Sequence, residues 1–81
     1  MAINYGGFRG LDDYLTQRCN AMGMSYAALS KAIGKTHSYI HGIAAGNFAP
    51  SRKVAQDIAL FFGDHQRTVL ILSDLESIPP N

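Results

Sequence analysis

Apolar residues recur along most of the chain at spacings of three and four, which is the period of an amphipathic α-helix. The first such segment carries Asp12 and Asp13 in its first turn, where carboxylates suit the positive end of the helix dipole. Gly23 is expected to end it. Its apolar stripe consists of Leu11, Tyr14, Leu15, Cys19 and Met22.

Three further segments each begin at a hydroxyl residue suited to cap a helix and stop at a glycine suited to end one. The predicted caps are Ser25, Thr36 and Ser51, and the predicted terminating glycines are Gly34, Gly46 and Gly63. Their apolar stripes, in chain order, are Ala28, Leu29, Ala32 and Ile33, then Ile40 and Ile43, then Val54, Ala55, Ile58, Ala59, Phe61 and Phe62. A loop, Asn47–Pro50, separates the third helix from the fourth.

The two ends of the chain are less regular. Residues 1–10 contain three glycines and are expected to form an arm whose apolar side chains, Ile3, Tyr5 and Phe8, pack on the body. Val69–Leu72 has the composition of a short strand, but the chain offers no second strand to pair with it. We therefore favour a fifth helix, stopped by Pro79 and Pro80.

Composition indicates a compact globular protein. Of its 81 residues, 47% are hydrophobic and 16% are charged, which supports a packed core and argues against disorder. We expect one compact all-α domain over residues 1–81, with four to five helices. It consists of an arm at 1–10, a four-helix core at 11–63, and a C-terminal helix and tail at 64–81.

Three signals bear on the location of the protein. The longest apolar run, Val69–Leu72, is far too short to span a membrane. The start of the chain, MAINYGGFRG, lacks the basic and then apolar pattern of a signal peptide. Cys19 is the single cysteine and cannot form an internal disulfide. We therefore expect a cytoplasmic protein that has no membrane partner.

Charge permits a nucleic-acid partner without requiring one. The net charge is +1, but residues 1–63 carry six basic and three acidic side chains, whereas residues 64–81 carry one basic and three acidic. The basic part can neutralise a few phosphates.

The most informative stretch is Ser25–Ser51, which predicts two short helices joined by a tight glycine turn. Leu29 and Ile33 would seat the first helix on the core, and Gly34 would take the left-handed conformation that the turn requires. The second helix, expected over residues 36–44, would present its outer face to a partner. This arrangement can place a helix in the major groove of DNA.

This stretch resembles the lambda-repressor-like family, also called the Cro/C1 or XRE type, over about residues 11–63. The family's run of a leucine, a small residue, two variable residues, an apolar residue, a glycine and a capped helix is matched by Leu29–Thr36. Ile40, Ile43, Gly46 and Pro50-Ser51 continue the pattern without a gap.

The sequence departs from the family's pattern at three places. Ser30 stands where alanine is usual, Lys35 where an apolar residue is usual, and Ala44 or Ala45 where an acidic residue is common. A serine fits the tight helix contact at position 30 if its hydroxyl bonds to a carbonyl one turn earlier.

The resemblance implies a set of DNA contacts on and around the second helix, where the alternative is a solvated helix face. The residues expected at base edges are Thr36, His37, Ser38, Tyr39, His41 and Gly42, although Gly42 can only permit close approach. The residues expected at phosphates are Ser25, Tyr26, Lys35, Asn47, Arg52 and Lys53.

The residues that carry reactive chemistry form no recognisable site. His37 and His41 are four apart and could share a metal ion, but no further ligand is near in sequence, so we expect no metal. No nucleophile, base and acid combination stands out, so we expect neither an enzyme nor a cofactor.

The resemblance implies a sequence-specific transcriptional regulator, most simply a repressor, that binds double-stranded DNA. The alternative is a protein-interaction module on the same fold, such as an antitoxin-like or antirepressor-like partner. No ligand-binding domain fits in 81 residues, so no small-molecule ligand is expected.

Such a domain reads few base pairs, so we expect a homodimer with contacts through Val69, Leu70 and Leu72. Leu70 would then be exposed in a monomer. The alternative is that these side chains only complete the monomer's core.

Overall fold

Five helices account for most of the chain, in a computed structural model that describes residues 5–78. They are α1 (Leu11–Met22), α2 (Tyr26–Ala32), α3 (Tyr39–Ala44), α4 (Arg52–Phe62) and α5 (Gln66–Leu72). Within the described range the only β pairing is an isolated bridge between Tyr5 and Phe8. The predicted all-α class and the fifth helix are therefore confirmed, while Ile3, Pro79 and Pro80 lie outside the described residues.

The helices α2 and α4 begin directly after Ser25 and Ser51, the two serines that the sequence predicted as their caps. The Oγ of Ser25 accepts a hydrogen bond from the backbone N–H of Ala28 at 3.1 Å, and the Oγ of Ser51 accepts one from Val54 at 3.3 Å. Each serine thereby satisfies a backbone donor that the first helical turn leaves without a partner.

The predicted start of α3 is wrong. Thr36 does not cap this helix, because residues 36–38 form a turn in which the N–H of Tyr39 donates to the carbonyl oxygen of Thr36 at 3.0 Å. The helix begins at Tyr39, and Ser38 at its N-cap makes no side-chain capping bond. The helix is therefore only six residues long and depends on packing rather than on its own cap.

The core lies where all five helices meet. Its fully buried large side chains include Tyr14 and Leu15 from α1, Leu29 from α2, Ile40 from α3, Ile58 from α4, and Val69 and Ile71 from α5. The helix α5 packs mainly on α4, while α3 packs on α2 and α1. The short α2 and α3 are thus held by long-range contacts, which hold the turn between them in place.

The expected exposure of Leu70 is wrong. Only 3% of this residue is accessible, and Val69, Ile71 and Leu72 are also buried. The reason is that α5 is covered on several sides: α4 packs on it, Thr68 lies near Gly6 of the arm, and Leu11 packs against the hydrophobic cluster that contains Leu72. The last turn of α5, Val69–Leu72, is apolar on every side, and a helical segment of that kind is buried. Val69, Leu70 and Leu72 complete the chain's own core and offer no surface to a second copy.

Some predicted apolar stripes are wider than the buried faces. Met22 and Phe61 are 55% and 37% exposed, and Ala28 and Ala32 are exposed as well. These side chains lie outside the faces that pack on the core. Phe62 is half-buried, with its ring edge-on to Tyr14 at a centroid distance of 6.0 Å.

Phe8, in the described part of the arm, joins the body in a mixed cluster. Phe8 is buried edge-on against Tyr14, with 4.9 Å between ring centroids, and the Arg18 guanidinium lies over both rings. The same guanidinium donates two hydrogen bonds to the Asp64 carboxylate, at 2.8 and 3.0 Å, and the Tyr14 hydroxyl donates a third at 2.6 Å. The cluster therefore joins the arm, α1 and the turn between α4 and α5.

Candidate nucleic-acid interface

One buried serine fixes α3 on α2. Ser30 has no exposed surface, and its hydroxyl donates a hydrogen bond to the carbonyl oxygen of Tyr26 at 2.9 Å, which confirms the predicted back-bond. The same Oγ accepts a hydrogen bond at 3.0 Å from the backbone N–H of Ile40, the second residue of α3. The capping group that α3 lacks in its own sequence thus comes from α2.

The turn between the two helices needs a glycine. Gly34 has φ of 78°, in the left-handed region that side-chain-bearing residues rarely adopt. The N–H groups of Gly34 and Lys35 donate to the carbonyl oxygens of Lys31 and Ser30, at 3.0 and 2.9 Å. Two of the last carbonyls of α2 are therefore satisfied, and the chain leaves the helix in the direction that starts α3.

Four of the six expected base-reading residues are exposed to solvent. Thr36, His37 and Ser38 form the turn that leads into α3, and His41 is exposed within the helix. The sequence predicted that Thr36, His37 and Ser38 lie on the helix, but they precede it, so their side chains do not follow the regular spacing of a helix face.

The other two, Tyr39 and Gly42, are less accessible. Tyr39 packs at the edge of the core, and its burial raises the pKa of its hydroxyl. The open backbone expected at Gly42 is wrong, because the ring of Phe48 covers it, and a Cβ at this position would overlap ring carbons Cε1 and Cζ. Phe48 also lies beside Tyr39, with ring centroids 5.2 Å apart.

The α2–α3 geometry agrees with the comparison of the sequence with known families. Residues 15–63, more than half of the chain, match the family model described as Helix-turn-helix. The chain belongs to the Cro/C1-type helix-turn-helix family. No curated protein and no solved structure matches it.

Family membership gives the α2–α3 unit its general role. Cro/C1-type domains belong to DNA-binding regulators and are not normally enzymes. Among residues 5–78, no helix is long and apolar enough to cross a membrane. In the same part of the chain, no three His, Cys, Asp or Glu residues are grouped so that they could hold a metal ion.

Two side chains link the start of α2 to α3 in this Cro/C1-type domain. The rings of Tyr26 and His41 meet edge to face, with centroids 5.3 Å apart. The Tyr26 hydroxyl is 2.6 Å from the hydroxyl of Thr16 on α1, in an exposed hydrogen bond. Tyr26, one expected phosphate contact, therefore lies next to His41, one expected base contact.

The expected phosphate-binding side chains differ in what they already contact. Ser25 is engaged in capping α2, whereas Asn47 and Lys35 are exposed, with the Lys35 ammonium 5.4 Å from the ring centre of Tyr39. Arg52 and Lys53 instead have partners within the protein.

Arg52 donates to the carbonyl oxygen of Leu75 at 3.1 Å and lies 3.9 Å from the Glu76 carboxylate. Lys53 pairs with Asp57 at 3.2 Å. Both basic side chains are more than half exposed, so these pairs contribute little stability and exchange readily for other anions.

Residues 14–56 contain no aspartate or glutamate. This stretch of the Cro/C1-type domain holds five of the seven lysines and arginines and includes all of α2 and α3. A polyanion approaching this unit meets no carboxylate of the unit itself. The nearly neutral net charge of the whole chain conceals this distribution.

Sequence reasoning missed Phe48 and the second bond of Ser30. Phe48 falls in the predicted loop Asn47–Pro50, where a large aromatic residue shortly after a glycine-containing helix is a usable signal. Ser30 differs from the family's usual alanine, and this departure indicated the back-bond. No sequence feature indicated its contact with Ile40.

Proposed function

We propose that this chain is a sequence-specific transcriptional repressor that binds double-stranded DNA with α3 and the turn before it in the major groove. The observation that carries the proposal is the carboxylate-free helix-turn-helix unit, whose exposed polar residues include His37, Ser38 and His41. An exposed face that combines hydrogen-bonding groups with an absence of negative charge suits base edges flanked by phosphates.

Base contact is assigned first to His37 and Ser38. Their side chains can both donate and accept hydrogen bonds, and base edges in the major groove present both kinds of partner. Thr36 and His41 extend the same exposed side, while Tyr39 supports it from the edge of the core. Gly42 acts indirectly, by leaving space for Phe48.

Phosphate contact is assigned to groups on either side of α3. Lys35 and Asn47 are exposed next to the helix, and Ser25 and Tyr26 lie at the start of α2. Arg52 and Lys53, at the start of α4, contribute when they exchange their present carboxylates for phosphates. These contacts position the domain and carry no sequence information.

Repression follows most simply from occupancy of a promoter. A homodimer would double the length of DNA read, because two α3 helices would lie in successive major grooves about 34–36 Å apart. The contact between copies has to involve residues other than Val69, Leu70 and Leu72, which are buried. Sedimentation with and without operator DNA measures the oligomeric state without assuming a contact surface.

Selection of binding sites from random double-stranded DNA tests the proposal. We expect enrichment of one motif, and about 1–3 kcal/mol weaker binding to it by His37→Ala or Ser38→Ala. Lys35→Ala should weaken binding to all sequences equally and lower the salt slope by about one unit.

Ser77→Ala, an exposed serine outside the helix-turn-helix, is the matched control for Ser38→Ala. If His37→Ala and Ser38→Ala both fold and bind DNA as tightly as the parent, this face of the domain does not contact the bases.

One observation favours the second candidate, a protein-interaction module. Leu60 and Phe61 on α4 are 80% and 37% exposed, and together with Ile33 they line a hollow outside the α3 face. If no DNA motif is enriched while the folded chain binds a protein partner through Leu60, this candidate replaces the first.

A further inference from the structure

A shallow cleft lies beside the exposed side of α3. It is open to solvent and is lined by Ser38, His41, Gly42, Ala45, Asn47 and Phe48. Phe48 is 44% exposed, although its ring packs on Gly42 and beside Tyr39. An aromatic surface is therefore held in a fixed position among the residues to which we assign base contact.

Phe48 occupies the place that a side chain on residue 42 would take. A Cβ at Gly42 would overlap carbons Cε1 and Cζ of the ring, so ring and side chain exclude one another. The cleft consequently has an apolar surface of Phe48, Ala45 and the Gly42 backbone, next to the polar groups of Ser38 and His41.

The chemistry of this surface limits what it can recognise. A phenyl ring and an alanine methyl form no conventional hydrogen bond, so contact with a polar base edge would leave that edge's donors and acceptors without partners. In the major groove, the C5-methyl of thymine is the apolar group that a base presents, and apolar side chains contact it.

We propose that the cleft formed by Phe48, Gly42 and Ala45 binds the C5-methyl group of a thymine and makes the domain specific for thymine at that position. The inference rests on the proposed function and adds to it the identity of one base and the residue that selects it. Ser38 and His41, on the polar side of the cleft, remain available for hydrogen bonds to neighbouring base edges.

Replacement of a thymidine in the DNA by deoxyuridine tests the proposal, because it removes the C5-methyl group of the base and leaves every hydrogen-bonding atom in place. In the selected motif, each thymine is replaced singly, and the Kd of the parent protein is measured. We expect one position at which binding weakens about three- to tenfold, as the burial of a single methyl group implies.

Phe48→Ala then assigns the effect to the cleft. We expect this variant to bind the thymine and deoxyuridine sites with equal affinity, while Phe61→Ala, a similarly exposed phenylalanine in a separate hollow, keeps the parent's preference. Circular dichroism checks that both variants are folded.

Three results overturn the proposal and leave sequence-specific binding intact: a selected motif without thymine, equal affinity of the parent for every deoxyuridine site, or an unchanged preference in folded Phe48→Ala. If Phe48→Ala fails to fold, the parent measurement can still overturn the proposal, because equal affinity for every deoxyuridine site would mean that no thymine methyl group is bound. If selection enriches no motif at all, the proposed function fails and this inference fails with it.

Discussion

Replacement of Ser30 by alanine isolates the contact that holds α3 on α2. The substitution hardly changes the volume of the buried site, but it removes the acceptor of the Ile40 N–H. That group sits in the first turn of α3 and has no other partner there, because Ser38 makes no capping bond. The variant therefore leaves a buried backbone donor unsatisfied.

The expected loss in the free energy of unfolding follows from two terms. Leaving a buried N–H without an acceptor costs about 1–3 kcal/mol, and the loss of the bond to Tyr26 adds about 1 kcal/mol or less. The second term is small because the Tyr26 carbonyl lies in the first turn of α2, where a backbone N–H can still bond to it. For a domain of this size, Tm falls by about 4–8 °C for each kcal/mol.

Ser73→Ala is the matched control for this measurement. Ser73 is also buried, and its hydroxyl makes the same kind of back-bond, to the carbonyl oxygen of Val69 at 2.6 Å. That carbonyl also accepts the N–H of Ser73, at 2.9 Å. Both variants lose a back-bond, whereas only Ser30→Ala also removes the acceptor of the Ile40 N–H.

Urea unfolding gives the difference between the two variants, which we expect to be at least about 1 kcal/mol. Amide hydrogen exchange should be faster at Ile40 in Ser30→Ala and unchanged there in Ser73→Ala. Equal stabilities of the two variants, with Ile40 still protected, would refute the role of Ser30 in holding α3.

Three further predictions concern the turn, the charge cluster and the C-terminal segment. Gly34→Val should lower Tm, because a β-branched residue is strained at φ of 78°; a variant that melts like the parent would contradict this. Asp64→Asn should lose roughly 1–2 kcal/mol at pH 7, measured by urea unfolding. Desolvation raises the pKa of Asp64, but the hydrogen bonds from Arg18 and Tyr14 lower it by more, so the pKa lies below 3.8. The parent's free energy of unfolding therefore exceeds that of Asp64→Asn above pH 3.8, and the difference shrinks as the pH falls further. A difference between the two proteins that stays constant with pH would contradict this. Glu76→Gln should tighten DNA binding severalfold at low salt by freeing Arg52, an effect that a gel-shift titration detects.

The sequence predicted those features that depend on neighbouring residues. The caps at Ser25 and Ser51 lie three residues before the N–H groups they bind, so a local pattern was enough to place the starts of α2 and α4. The positive φ of Gly34 was likewise predictable from its position at the end of a helical stripe.

Features that depend on tertiary contacts were not predictable in this way. The group that caps α3 is Ser30, ten residues before the N–H it binds and on another helix, so the start of α3 was misplaced. Periodicity assigns one buried face to a helix, yet α5 is covered on several sides and buries Leu70 as well. Candidate contacts around residues 36–42 followed from the family pattern, but the covering of Gly42 by Phe48 required the three-dimensional structure.

Glu76 has a consequence for the affinity that Arg52 contributes to DNA binding. Its carboxylate lies 3.9 Å from Arg52 and 3.1 Å from Arg67, so Arg52 has an anion that belongs to the same chain. When a phosphate replaces that anion, the cation condensed on the phosphate is still released, so Arg52 counts in the salt slope as Lys35 does. Competition from Glu76 therefore lowers the affinity that Arg52 contributes and leaves the number of released ions unchanged. Glu76 acts as a counterion whose local concentration is set by the fold and not by the buffer.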